Sequence, residues 1–254
     1  MTAAALATEG LSRTFGGFRA VDGVSLSLPT GARHAVIGPN GAGKTTLVNL
    51  LTGALRPIAG RVLLHGEDVT ALPQHARVKR GLARTFQVNQ LFPDLSPLEA
   101  VTLAVCEREG LTARWWRPVP RHAAVAAEAE ALLADALRFP AAAMRAPTRD
   151  LAYGRQRLLE IGLALALRPR VLLLDEPVAG VPPGEGREVL DAVAALPRDV
   201  TVLLIEHDMD LVFRFAERIT VLAAGAVLAE GTPAEVARDG RVREAYLGDA
   251  AAHG

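Results

Sequence analysis

The sequence predicts an α/β fold in which a parallel sheet is interrupted by a helical insert, and three observations predict it. Val171-Leu172-Leu173-Leu174 and Val202-Leu203-Leu204-Ile205 are continuous apolar runs of strand length, as strands covered on both faces are. Between them Val189, Leu190, Val193 and Leu196 fall on one helical face, so strands alternate with helices. A further apolar run, Ala35-Val36-Ile37, leads through a glycine-rich turn into a helix-compatible segment from Thr45 to Leu51, again in the order strand, loop, helix.

The remaining elements follow in chain order. Leu6 to Leu28 mixes short β-like runs with turn signals at Gly16-Gly17 and Asp22-Gly23, and Val24-Ser25-Leu26-Ser27-Leu28 alternates with period two, as a half-buried strand does. Gly60 to Leu64 is expected as a strand closed by His65-Gly66. From Ser96 to Leu167 the pattern turns helical: Arg121 to Leu137 is rich in Ala, Glu and Leu without Gly or Pro, and Gln156 to Leu167 spaces apolar residues by three and four. Ile219 to Leu222 and Val227 to Glu230 flank Ala224-Gly225 as a hairpin. Thr232-Pro233-Ala234-Glu235 supplies an N-cap, a proline at the first helical position and a capping-box acid for a last helix.

Composition narrows the class. Half of the 254 residues are hydrophobic and 22% charged, which excludes wholesale disorder. Lys plus Arg equals Asp plus Glu at 28 each, so no global electrostatic argument favours nucleic acid as a partner. No window reaches the roughly 18 consecutive apolar residues of a membrane span. The single cysteine, Cys106, and the absence of a signal-like N-terminus give the reducing cytosol as the expected compartment. Trp115-Trp116 stands out as an aromatic pair between arginines, readable as a partner-facing patch or as local packing.

Gly38-Pro39-Asn40-Gly41-Ala42-Gly43-Lys44-Thr45 satisfies G-x-x-x-x-G-K-[ST] between a strand and a helix, the context a phosphate loop requires. Glycines let successive backbone N–H groups turn toward phosphate oxygens, and the helix adds its positive dipole end, so Gly38 to Thr46 are the candidate nucleotide-binding residues. Lys44 is expected to neutralise the terminal phosphates and the Thr45 hydroxyl to ligate Mg²⁺. The strand from Val171 ends in Asp175-Glu176-Pro177: Asp175 suits the surroundings of Mg²⁺ and Glu176 suits a general base acting on water.

Five segments align with the phosphate loop: Arg84-Thr85-Phe86-Gln87, Leu151-Ala152-Tyr153-Gly154-Arg155-Gln156, the Asp-Glu pair, Ala179-Gly180-Val181-Pro182, and Ile205-Glu206-His207-Asp208. In order and spacing they resemble the nucleotide-binding subunits of ABC transporters over essentially the whole chain. The resemblance implies a P-loop ABC-type ATPase domain with a parallel-sheet core, an N-terminal antiparallel β subdomain and a helical insert. In this division 6–94 and 168–254 form the nucleotide-binding core and 95–167 the helical subdomain. It further implies ATP and Mg²⁺ as cofactors. Gln87 would reach Mg²⁺ and the water and link to the membrane partner, Ala152, Gly154 and Gln156 would belong to a signature loop that contacts ATP on an opposite subunit, and His207 would contact the γ-phosphate. Taken alone, His207 reads as a structural histidine after a strand and Gln87 as a surface residue. Phe15 stands where an aromatic stacks on adenine in this family, with Phe18 as the competitor.

Two loops depart from the pattern. Ala152 replaces the usual serine, at a cost on the order of 1 kcal/mol for one hydrogen bond, and Tyr153 the first glycine of the signature, while Pro182 stands where Asp or Asn is common. Local phrases, Gly81 to Gln87, Leu91 to Leu95, Leu151 to Glu160, Leu204 to Met209, and Gly231 to Val236 with Glu244 to Gly248, resemble the ATPase subunit of branched-chain amino acid importers. The partners so implied are membrane-spanning permease subunits, a second ATPase subunit of another or the same chain and, indirectly, a periplasmic solute-binding protein, with the chain on the cytoplasmic face of the cell membrane. Urea, amide or aromatic-acid import, a lipopolysaccharide-type exporter motor and a soluble non-transport ATPase are the alternatives.

Overall fold

Alternating apolar runs and continuous ones separate into two different sheets in the computed structural model, which describes residues 4–85, 91–111 and 120–252. In chain order the elements are β1 (Ala4–Phe15), β2 (Phe18–Pro29), β3 (Arg33–Ile37), α1 (Lys44–Thr52), β4 (Ala59–Leu64), β5 (Glu67–Asp68), α2 (Gln74–Val78), β6 (Leu82–Arg84), α3 (Pro97–Arg108), α4 (Pro120–Ala131) and α5 (Ala141–Arg145). They continue with α6 (Tyr153–Ala166), β7 (Val171–Asp175), α7 (Pro183–Ala194), β8 (Thr201–Ile205), α8 (Met209–Phe215), β9 (Arg218–Ala223), β10 (Ala226–Gly231), α9 (Pro233–Arg238) and α10 (Gly240–Ala252). Two compact units result: residues 1–84, 170–176 and 198–254 form one, and 85–169 with 177–197 the other.

The first unit holds both sheets. Strands β2-β1-β4-β5 form an antiparallel sheet, with Phe15 opposite Phe18 at the β1–β2 turn. The second sheet has the order β10-β9-β3-β8-β7-β6; β9, β3, β8, β7 and β6 run parallel, and β10 closes the edge as the antiparallel arm of the hairpin at Ala224-Gly225. All five residues of β3, β7 and β8 are buried, which is why these segments are continuous rather than alternating in sequence. The Thr232–Glu235 capping box forms as the sequence requires, but α9 is not the last helix, since α10 follows it.

Two buried polar groups shape this unit. Arg77 on α2 is 1% exposed. Its guanidinium donates to the carbonyls of Leu50 (2.7 Å), Leu51 (2.7 Å), Thr70 (2.9 Å) and Leu72 (3.1 Å). The first two are last-turn carbonyls of α1, so the cation sits at the negative end of that helix. Burial pulls the guanidinium down to about 10, still charged at neutral pH. In β3, His34 Nε2 shares a 2.8 Å hydrogen bond with Thr220 Oγ1 of β9, and burial pushes the imidazole down to about 4.

The second unit is helical. Ser96 and Glu99 form a reciprocal capping box that starts α3, with Pro97 in its first turn. At the other end of α3, Arg108 donates to both carboxylate oxygens of Glu128 on α4 (2.8 and 2.9 Å) and to the carbonyl of Ala166 at the end of α6 (2.7 Å), tying three helices together. Residues 132–136 form a π-helical turn directly after α4, so the single helix expected from 121 to 137 changes its hydrogen-bond period partway along.

Arg77→Met should lower the free energy of unfolding by about 3–5 kcal/mol, because it strands four carbonyls and removes their cation; urea unfolding followed by circular dichroism will show a lower midpoint at unchanged m. For His34, the folded chain refuses a proton that the unfolded chain accepts near 6.5. Its contribution is therefore complete above about pH 6.5 and is lost as pH falls toward 4, by on the order of 3 kcal/mol. Comparing the unfolding midpoints of wild type and His34→Gln at pH 7 and pH 4.5 should show a flatter acid slope in the variant.

Candidate functional site

The loop between β3 and α1 is drawn inward by its glycines. Gly38 has φ 155° and Gly43 φ 100°, and a Cβ on either would fall 2.2 Å from a backbone oxygen, that of Leu222 for Gly38 and of Ala20 for Gly43. Only glycine fits that approach in the left-handed region of Gly43. Gly43 is the N-cap of α1 and offers no side-chain cap, so the helix begins with backbone amides that no cap side chain covers. Lys44 Nζ donates to the carbonyls of Gly38 (2.6 Å) and Pro39 (3.0 Å), folding back over the loop. Pro39, Asn40, Gly41 and Ala42 form the intervening turn, closed by the Ala42 N–H to the Pro39 carbonyl (3.2 Å), while Thr45 and Thr46 lie in the first turn of α1. Gly225, in the β9–β10 turn, fastens the loop from outside by donating to the Ala42 carbonyl (3.1 Å).

Asp175 ends β7, and its buried carboxylate accepts from Arg84 Nη2 at 2.6 Å. Glu176 follows with φ 47°, a left-handed conformation unusual for a long side chain. Its Oε1 lies 4.0 Å from Nδ1 of His207, which is itself 3.4 Å from Oε2 of Glu206. Glu206 is fully buried, and the same Oε2 accepts from the backbone N–H of His207 (2.9 Å), fixing the turn that leaves β8. The structure places Glu176 and His207 4.0 Å apart, with Glu206 beside His207 and Arg84 on Asp175, two residues that the sequence did not single out. The run Ile205-Glu206-His207, an acid directly after a buried strand, was the available signal for Glu206. Among the described residues no cluster of three or more His, Cys, Asp or Glu forms a metal centre. The oxygen donors Thr45 and Asp175 suit instead a hard cation that keeps phosphate and water ligands, so the residues present fit Mg²⁺ held together with a nucleotide.

Phe15 is 43% exposed with the Arg13 guanidinium 4.9 Å from its ring centroid, and Phe18 is 62% exposed. Arg13 thus covers one face of the Phe15 ring, and Phe18 is the more open of the two. Gln87 lies outside the described residues, as does Trp115-Trp116.

In the helical unit α6 starts at Tyr153, three residues before the expected Gln156, so Ala152 is its N-cap and Gly154 lies in its first turn. Ala152 gives no side-chain cap. The Gly154 N–H donates instead to Glu185 of α7 at 2.7 Å, and Gln156 Nε2 donates to the carbonyl of Leu151 at 3.0 Å. Arg157 packs over the Tyr153 ring at 5.2 Å, pairs with Glu160 (2.9 Å) and donates to the carbonyl of Ala179 (3.2 Å). Burial raises the Glu160 carboxyl against the pull of that arginine. Pro182 is the N-cap of α7.

Known proteins match this arrangement. A family model described as "ABC transporter" matches residues 21–179, and one described as "Branched-chain amino acid ATP-binding cassette transporter" matches residues 226–252. The high-affinity branched-chain amino acid transport ATP-binding protein BraF of Pseudomonas aeruginosa is 40% identical, the match covering 96% of this chain and 98% of the relative. LivG of Escherichia coli, described in the same words, is 37% identical over the same shares. Among solved structures, a nucleotide-free ATP-binding cassette from an ABC transporter is 32% identical with a TM-score of 0.81, covering 96% of this chain and 98% of that one. The ADP conformation of another such cassette is 31% identical with a TM-score of 0.81, covering 97% and 100%. A phosphate loop, a strand-end Asp-Glu pair and full-length likeness in sequence and fold lead to one conclusion: the chain belongs to the ABC transporter family, as one of its ATP-hydrolysing ATP-binding domains.

Proposed function

We propose that this ATPase drives uptake of branched-chain amino acids, seated on the cytoplasmic face of the cell membrane against permease subunits and paired with a second ATPase subunit. A periplasmic solute-binding protein delivers the solute. The reading of the solute rests on relatives that carry that description across nearly their whole length and on the family match at 226–252, which covers β10, α9 and α10.

In this reading the amides from Gly38 to Thr46 and the Lys44 ammonium hold the phosphates, and Phe15, or Phe18 beside it, stacks on adenine. Bound Mg²⁺ supplies charge neutralisation and orientation of the phosphates, with Thr45 and Asp175 on the protein side. The observation that carries the mechanism is Glu176, held in a left-handed backbone conformation with His207 4.0 Å away. Glu176 accepts the proton of the attacking water, His207 donates to the terminal phosphate, and buried Glu206 orients His207. Gln87 joins this set and carries the change to the permease. Ala152, Gly154 and Gln156 present the start of α6 to the nucleotide of the partner subunit in a head-to-tail pair, which is how one chain's signature loop completes another's site. Glu185, now on the Gly154 amide, gives way to phosphate there.

Glu176→Gln should keep ATP binding, measured with a fluorescent analogue, and lose hydrolysis by about 10²–10⁴-fold, the range a general base contributes. Near-wild-type turnover would place the base elsewhere. For the solute, the chain co-purified with its permease subunits, partner ATPase and solute-binding protein should show ATPase stimulated by leucine, isoleucine or valine and not by urea or aromatic acids. Stimulation by the latter alone would reassign the importer.

A further inference from the structure

The carboxylate of Asp175 is almost wholly out of solvent at the end of β7, where an unpaired charge would be costly. Its counter-charge is Arg84, the last residue of β6, whose Nη2 donates to Asp175 Oδ2 at 2.6 Å while Nη1 donates to Asn49 Oδ1 at 2.8 Å. Asn49 lies on α1, the helix whose first turn carries Lys44 and Thr45. One guanidinium therefore ties together the ends of two parallel strands and the phosphate-loop helix. Its planar fork reaches both partners at once, a geometry that lysine cannot reproduce. The Arg84 side chain is 13% exposed, so the pair is weakly screened by water and salt. The charge at Asp175 that a divalent cation would use is thus already engaged by a built-in monovalent one.

We infer that Arg84 is a positioning residue for Asp175: it holds the carboxylate in place in the metal-free protein and competes for it with Mg²⁺, so that it sets the free Mg²⁺ concentration at which nucleotide binding tightens. This rests on the reading of Asp175 as the protein-side partner of Mg²⁺. The fork onto Asn49 links the same arginine to α1, so the exchange at Asp175 is felt by the helix that begins at the phosphate loop.

The test is a titration of free Mg²⁺ against the affinity for a fluorescent ATP analogue, with EDTA as the metal-free baseline, in the purified full chain. Arg84→Gln should lower the half-saturating Mg²⁺ by about tenfold, the lower end of the scale on which a neighbouring arginine shifts a carboxylate's affinity for its simplest cation, the proton, with the variant's own EDTA affinity as the baseline from which its midpoint is read. Arg84→Lys keeps the buried charge and tests the case in which the glutamine variant fails to fold; by loosening the fork it should shift the midpoint the same way by about twofold. A half-saturation at or above the wild-type value in the folded variants overturns the inference. Wild-type affinity that does not respond to Mg²⁺ at all would instead remove the metal reading of Asp175, and this inference with it. A purely structural role for Arg84 predicts a lower melting temperature with an unmoved Mg²⁺ midpoint, which also counts against it.

Discussion

Helix α1 begins without a side-chain cap, and the interaction that makes this affordable is at its other end, where the Arg77 guanidinium takes the carbonyls of Leu50 and Leu51. A nine-residue helix has little stability of its own. Burying Leu47, Val48, Leu50 and Leu51 anchors one face, and a cation at the negative end offsets the exposed amides at the positive end. The arrangement stabilises the helix from its far end, with no cap side chain at its start. Thr70 and Leu72 complete the shell around Arg77, so the loop from β5 to α2 is organised around the same cation.

Buried charge is handled differently in the helical unit. Arg157 and Glu160 pair one turn apart on α6, and the Arg157 guanidinium also covers the Tyr153 ring and reaches the Ala179 carbonyl. Side-chain cations thus fasten both helices, α1 through its last carbonyls by Arg77 and through Asn49 by Arg84, and α6 through a mixed set of acid, ring and carbonyl. Zero net charge over the chain hides this placement, because the charges that matter are inside.

Much of the fold was legible because it is written in local pattern. The strands at 35–37, 171–174 and 202–205, the C-terminal hairpin and the Thr232 capping box depend on residues close in sequence. So does the loop from Gly38 to Thr45. What stayed hidden depends on partners far apart: Arg84 meets Asp175 across 91 positions, Gly154 meets Glu185 across 31, and Arg77 meets Leu50 across 27. No periodicity marks such pairs, and a lone arginine or glutamate in a polar stretch reads as surface. The π-turn at 132–136 was hidden for another reason, since Leu132 to Ala136 has ordinary helical composition and nothing in it marks a wider turn.

Glu176 shows backbone and chemistry pulling in opposite directions. A left-handed position is most comfortable for Gly, and next for Asn or Asp, so a glutamate there is a residue the local backbone would not choose. A selection for thermal stability alone would therefore drift toward glycine, asparagine or aspartate at this position and so erase or shorten the carboxylate. Arg138 and Arg168 share that backbone region (φ 54° and 50°), so what sets Glu176 apart is the coincidence of the strained backbone with an imidazole 4.0 Å from its carboxylate.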